Sequence, residues 1–267
     1  MRVAVLGHVE WVEFLRVPAV PKAGDIVQGV PTVSVPAGGG GVAAVQLARW
    51  AGSCELFTAL GDDELGHRSE ADLRARQVNV HAAYRAEPQR RALTMVDAQG
   101  ERTIVLSGAR HVAKRADPLP WDDFAKIDAV YITGGDADAV RAARAARVVV
   151  STARVLPLLR DAGVVLDALV GSDNDPAEAY PGDLQPPPRL VVRTNGARGG
   201  TYANAGGSPQ QFVAVPATVT GDTYGAGDTF AAAIAFGLGE GRKPADAIAF
   251  AAARAAEVLA FDGPYGR

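Results

Sequence analysis

Residues Asp222 to Phe230 read DTYGAGDTF: two carboxylates six positions apart, Gly-Ala-Gly between them, and an alanine-rich run, AAAIAFGLG, directly afterwards. If Gly225 to Gly227 opens a helix that continues through Thr229, Ala233 and Gly237, the backbone N–H groups there have no intrahelical acceptor and converge on one point. Such a point attracts an anion. Glycine lets a phosphate come close to the backbone, and the helix dipole adds positive potential. Asp228 beside a bound phosphate cannot ligate it, because the charges repel. It can take the proton from an attacking hydroxyl while the N–H groups hold the charge of a phosphoryl group in transfer, which is general-base catalysis beside an anion hole. The competing reading is a glycine-rich turn capped by Asp228, since aspartate is a good N-cap.

Residues of this kind need a scaffold that holds them still. Val3 to Leu6, Glu55 to Leu60, Ala129 to Thr133, Arg147 to Val150 and Leu190 to Thr194 are short runs rich in Val, Ile and Leu and read as buried strands. Helical spacing lies between and after them, over Val42 to Trp50, Leu65 to Arg76, Val155 to Asp161 and Thr229 to Leu238. This alternation predicts an α/β fold with a mostly parallel sheet covered by helices on both faces, and ligands outside the carboxyl ends of its strands. Trp11 to Pro36 and Arg91 to Gly108 break the alternation. In the second, β-rich runs flank Ala98-Gln99-Gly100 as in a hairpin, so both regions read as antiparallel strands standing off the main sheet as a flap. Arg141, Arg144 and Arg147 have helical spacing and read as a solvated helix face.

Composition narrows the partners. The 267 residues, 48% apolar, suit one large α/β domain over the whole chain. A formal charge of −3 without a Lys/Arg block argues against nucleic acid or an anionic membrane as partner, and for a small molecule. The single cysteine, Cys54, excludes an internal disulfide and a cysteine-based zinc site. The histidines lack ligand spacing and read as surface or satisfied polar residues. MRVAVLGHVEW lacks the pattern of a signal peptide and no apolar run is long enough to span a bilayer, so a cytoplasmic location is expected. Neither a dinucleotide fingerprint nor a Walker-type phosphate loop occurs.

The string from Asp222 to Phe230 resembles, at every fixed position, the most diagnostic motif of the ribokinase-like (pfkB) carbohydrate kinase family, Asp-Thr-x-Gly-Ala-Gly-Asp-x-Phe. The resemblance extends along the chain in the family's order. PKAGD at Pro21 to Asp25, AGGGGVAAVQLARW at Ala37 to Trp50, ALGDDELG at Ala59 to Gly66, GERTIVL at Gly100 to Leu106 and TNGARGG at Thr194 to Gly200 are each similar to a family segment. It implies the ribokinase-like three-layer fold, with a lid closing over the substrate, and a kinase using ATP and Mg2+; dependence on a monovalent cation is left open. Asp228 would be the catalytic base, with Gly225, Ala226 and Gly227 as the anion hole. ATP would lie near Thr194, Gly196 and Gly199, with Asp222 and Thr223 of the same motif on the nucleotide side. Gly38, Gly39 and Gly40 would border the acceptor, a sugar or sugar-like molecule. Asp175, at the end of Ser172-Asp173-Asn174-Asp175, would serve the magnesium ion. The resemblance also implies pairing of two chains through their lids, which the apolar strand Val30 to Val35 would permit.

Three positions depart from the family's pattern. Val12 stands where an aspartate commonly grips sugar hydroxyls, with Glu10 and Glu13 nearby to compensate; Val42 stands where an asparagine is usual; Ser172 replaces an asparagine. The half of the chain that would choose the acceptor has diverged more than the half that would transfer phosphate. A nucleoside acceptor, or a silent relative that only binds a metabolite, are the alternatives.

Overall fold

The computed structural model describes residues 1–265. Elements are numbered in chain order. The main sheet has nine strands in the order β13-β12-β11-β10-β9-β8-β1-β4-β5. Its parallel part comprises β1 (Val3–Leu6), β4 (Cys54–Gly61), β5 (Val78–Arg85), β8 (Ala129–Ile132), β9 (Val148–Thr152), β10 (Ala168–Ser172) and β11 (Leu190–Thr194). The strands β12 (Gly200–Asn204) and β13 (Gln210–Phe212) continue it antiparallel.

Both faces are covered, which is why the strands are apolar at successive positions rather than alternate ones. In β1, Val3 and Val5 enter one core, while Ala4 and Leu6 enter the other. The first core is filled by α1 (Gly38–Ala51), α2 (Glu64–Ala75), α5 (Ala226–Gly239) and α6 (Pro244–Val258). The second is filled by α3 (Ala137–Ala143), α4 (Leu156–Ala162) and a 3-10 turn over Trp121–Lys126. The parallel register sets Leu6 beside Ile132, Ile132 beside Ser151, and Ser172 beside Thr194. The loops after β1, β8, β9, β10 and β11 therefore leave one edge of the sheet together, as the sequence pattern predicts for a ligand site. No helix among the described residues is long and apolar enough to cross a membrane.

A second, four-stranded sheet stands off that edge in the order β3-β2-β6-β7, formed by β2 (Glu10–Arg16), β3 (Val30–Ala37), β6 (Arg91–Val96) and β7 (Arg102–Ser107). Its outer pairs are antiparallel, and β2 and β6 join them in the middle as a parallel pair. This small sheet is fastened to the segment before α5. Arg102 donates to Thr223 Oγ1 at 2.8 Å, and Arg16 donates to the Gly221 carbonyl at 3.0 Å and pairs with Asp262.

Two local departures from the sequence reading have clear causes. The helix expected from Val42 begins at Gly38, because the glycines form its first turn against the loop after β1: Gly40 N–H donates to His8 O at 3.0 Å. A methyl group on Gly40 would stand 2.8 Å from His8 N, so only glycine permits that approach. Arg141 and Arg147 are solvent-exposed, but the three arginines do not share a helix face, because α3 ends at Ala143. Their side chains donate to the carbonyls of Ala162, Val165 and Gly239, tying α3 and its exit to neighbouring loops.

Candidate active site

At the start of α5 the chain turns sharply at Gly225, whose φ of 78° is left-handed and favours glycine. The first helical bond is Thr229 N–H to Gly225 O at 2.8 Å. Among the described residues the N–H groups of Ala226, Gly227 and Asp228 have no acceptor, and no side chain caps the turn. Asp228 is therefore not the cap of a turn; it lies within the first turn, behind Gly225. Nothing stands within 4 Å of the place a Gly227 Cβ would occupy. The fold has no need of glycine there, and the missing side chain leaves open space over the unpaired N–H groups.

Asp228, in the same turn, is partly buried. That desolvation, chiefly, lifts its pKa from an ordinary 3.8 to about 6; Glu178 adds to the rise, while Arg154 and a 3.4 Å hydrogen bond from Tyr131 oppose it. A carboxyl with a pKa near neutrality is suited to accept a proton from a hydroxyl. Gly39, in the first turn of α1, stands against it: a Cβ there would lie 2.9 Å from Asp228 Oδ1.

Beyond Gly39 lies a cluster of polar side chains. Gly38 packs on Glu10, and its N–H donates to Tyr224 Oη at 3.1 Å. Glu10 is 7% exposed, and burial raises its pKa against the pull of Arg90 and Arg110. Arg90 Nε stands 3.2 Å from Glu10 Oε1. Arg110 donates to His8 Nδ1 and to Thr133 O, each at 2.7 Å. Burial, then Arg110 and Arg90, push the His8 pKa well below its ordinary value, so the ring is neutral at pH 7. Val12 is fully buried in the core, as is Val42, whose Cγ1 would lie 3.1 Å from a Cβ on Gly225.

The structure separates the residues singled out from sequence. Gly225, Ala226, Gly227, Asp228, Gly38, Gly39 and Glu10 come together. Glu13 does not: an odd number of residues from Glu10 along β2, it faces the other side of the sheet and pairs with Arg91 at 2.6 Å. Gly40 is buried under the His8 backbone. His8, Arg90 and Arg110 were not singled out. For His8 the signal was its place directly after Gly7 at the end of β1; the arginines sit in connectors whose convergence no local pattern announces.

On the other side of Asp228, Asp222 is 1% exposed and its oxygens accept from Tyr224 N–H at 2.8 Å and Gly263 N–H at 2.7 Å, so its carboxylate clamps the loop to the chain's last turn. Thr223 is held by Arg102. Thr194 ends β11, and Gly196 and Gly199 lie in the loop after it, with φ of 55° and 85°, which the turn itself requires. Asp175 and Glu178 share the guanidinium of Arg154, at 2.5 Å and 2.7 Å. No group of three or more His, Cys, Asp or Glu side chains fit to cage a metal occurs among the described residues. Magnesium bound with a triphosphate asks for only one or two carboxylates, the remainder being phosphate and water. Asp175 and Glu178 would meet that limited demand in number, with Arg154 now taking their oxygens; no signal in sequence spacing announces Glu178 beside Asp175.

The pattern of the family described as pfkB family carbohydrate kinase matches residues 2–169 and 160–265. No curated protein sequence matches the chain. Among solved structures, ribokinase from Thermotoga maritima aligns with a TM-score of 0.78 at 18% identity, over 99% of this chain and 95% of its own. Adenosine kinase from Sinorhizobium meliloti gives 0.79 at 20% identity, over 98% and 95%. Arabidopsis thaliana ribokinase, complexed with ribose and ATP, gives 0.74 at 20% identity, over 98% and 93%. At these identities the likeness is one of fold, and the fold is that of ribokinase.

Proposed function

The chain belongs to the pfkB family of carbohydrate kinases, and on that premise we propose that its cleft transfers the γ-phosphoryl group of ATP to a hydroxyl of a sugar or sugar-like molecule, with Asp228 as general base. The observation that carries this reading is the set of unpaired N–H groups at Ala226, Gly227 and Asp228 beside a carboxyl whose pKa is lifted to about 6. In the transfer, the bond from the γ-phosphorus to the oxygen bridging to the β-phosphate breaks, a bond to the acceptor oxygen forms, and the acceptor's proton passes to Asp228. The N–H groups stabilise the charge on the phosphoryl oxygens as it moves.

The acceptor lies between Gly39 and Glu10, and ATP extends from α5 toward the loop of Thr194, Gly196 and Gly199. Asp175 and Glu178 would hold a magnesium ion in exchange for their pairing with Arg154, and the ion would supply neutralisation of phosphate charge. The lid excludes water, so that the phosphoryl group goes to the acceptor and not to solvent. A nucleoside acceptor is the second reading, favoured by the fold shared with an adenosine kinase. Pairing of two chains through their lids rests on the edge strands β3 and β7, which expose Val30 and Val105; sedimentation at micromolar concentration checks it.

The test is ADP formation from ATP with a panel of sugars and nucleosides, for the native chain and for Asp228→Asn. Loss of the base lowers turnover by about 10² to 10⁴ while ATP still binds. Unchanged turnover in the variant removes Asp228 from the role.

A further inference from the structure

Beside Glu10 stand two guanidinium groups whose donors the fold leaves largely free. Arg90 is fixed by its neighbour Gln89, whose buried side chain accepts from Gly61 N–H at 2.9 Å and donates to Val9 O at 2.8 Å. The Arg90 side chain is 16% exposed, and its Nε is buried without a hydrogen-bond partner despite the nearby Glu10 carboxylate. Arg110 is placed by the buried His111, which donates to Pro88 O at 2.9 Å. One of its nitrogens, Nη2, makes both of the bonds it forms, to His8 and Thr133.

That donation to Nδ1 leaves the proton of neutral His8 on Nε2, 3.7 Å from Glu10 Oε1. The set is thus two guanidinium groups, the Glu10 carboxylate and a neutral imidazole, with the Asp228 carboxylate also acting on Arg110. Among the described residues the Arg90 guanidinium makes no hydrogen bond and Arg110 bonds only through Nη2, so both keep N–H donors that an added anion can take. Planar guanidinium donors match the oxygens of a carboxylate or a phosphate, and such groups have no special use toward a neutral hydroxyl.

We propose, resting on the kinase reading above, that the acceptor is itself an anion: a polyhydroxylated molecule whose carboxylate or phosphate group is received by Arg90 and Arg110 while one of its hydroxyls lies against Asp228. His8 Nε2–H then remains as a donor to a second oxygen of the same molecule. Glu10 keeps the two guanidinium groups apart and aligned, and rejects an anion placed too deep.

The experiment compares matched sets: a neutral sugar, the sugar acid derived from it, the corresponding sugar phosphate, and a neutral nucleoside. ADP formation gives kcat and KM, and thermal melting without ATP gives binding independent of turnover. The expected result is that the acid or the phosphate member exceeds its neutral parent in kcat/KM by about tenfold or more. Arg90→Gln and Arg110→Gln each raise KM for that member by about tenfold with kcat little changed. Which member wins separates carboxylate from phosphate.

Neutral members used as well as the charged ones overturn the proposal, as does a failure of every anion to react or to raise the melting temperature. An equal fall in kcat on charged and neutral acceptors in the arginine variants also overturns it, since it assigns the arginines to the phosphoryl group in transfer. If anions raise the melting temperature only when both arginines are present but no ADP forms, the anion site stands and the kinase reading falls. If neutral sugars are phosphorylated and anions neither bind nor react, the reverse holds.

Discussion

Gly39, in the first turn of α1, stands so close to Asp228, in the first turn of α5, that a methyl group on its Cα would lie 2.9 Å from the carboxylate Oδ1. Two helix starts thus meet at one acidic group. The approach fixes the carboxyl between the acceptor end of the cleft and the unpaired N–H groups of α5, and the absence of a side chain at Gly39 keeps it there.

Gly39→Ala should therefore impair catalysis without harming the fold. Gly39 has no left-handed φ, so the backbone accepts alanine, and replacing a helical glycine adds up to about 1 kcal/mol of stability. The methyl group displaces the Asp228 carboxyl by a fraction of an ångström to an ångström, and turnover falls by about 10- to 100-fold. Melting temperature at or above that of the native chain, with kcat reduced and ATP binding retained, is the expected outcome. A normal kcat would show that the carboxyl position is not critical.

Asp228 also makes activity and stability respond to pH in opposite senses. With a pKa near 6, kcat/KM rises with pH through that value, and the limb disappears in Asp228→Asn. Because the folded pKa is raised above the ordinary 3.8, the stability of the neutral form is fully present below 3.8 and lost as pH rises through about 6. The full shift corresponds to about 3 kcal/mol, and the partial exposure of the residue reduces this to about 1 kcal/mol. Asp228→Asn should melt about 2 to 4 °C above the native chain at pH 8, with the difference vanishing below pH 4. Equal melting at pH 8 would show that the carboxylate is not desolvated.

Gly225 and Gly227 are neighbours in one motif with different physical reasons for being glycine. Gly225→Ala forces a left-handed φ of 78° on alanine and sets its Cβ 3.1 Å from Val42 Cγ1 and Pro264 Cβ. The strain is about 1 to 2 kcal/mol, read as a drop of about 2 to 8 °C in melting temperature. Gly227→Ala meets only open space, so melting is unchanged or higher while the KM for ATP rises about tenfold. A destabilised Gly227→Ala with normal ATP kinetics would assign that glycine to the fold.

The part of this architecture legible in the sequence was the part written in local patterns. Buried strands and amphipathic helices announce themselves by period, and DTYGAGDTF places unpaired N–H groups and a carboxylate within nine residues. Strands β5 and β10 were missed, the first because Val78 to Arg85 alternates polar residues such as Asn79 and His81, the second because Gly171 and Ser172 blur its end. The acceptor end of the site was largely unreadable. His8, Arg90 and Arg110 come from three separate connectors, and only the convergence of β1, β8 and the lid brings them around Glu10. Glu13 lies apart from Glu10 for a simple reason of parity along β2, which fixing the strand's start at Glu10 settles.

The clamp at Asp222 separates two roles that the motif alone leaves entangled. Its oxygens accept from the backbone N–H groups of Tyr224 and Gly263, and it is 1% exposed. Removing the carboxylate by Asp222→Ala leaves two buried donors unpaired, at about 1 to 3 kcal/mol each. Melting temperature should fall by about 4 °C or more, and ATP binding should weaken only as far as the loop loosens. Asp222→Asn preserves one acceptor and should recover part of the loss, its amide facing one donor unfavourably. Normal melting of Asp222→Ala combined with lost ATP binding would reverse the assignment, making Asp222 a nucleotide contact and leaving the loop to be held by Arg102 and Arg16 from the lid.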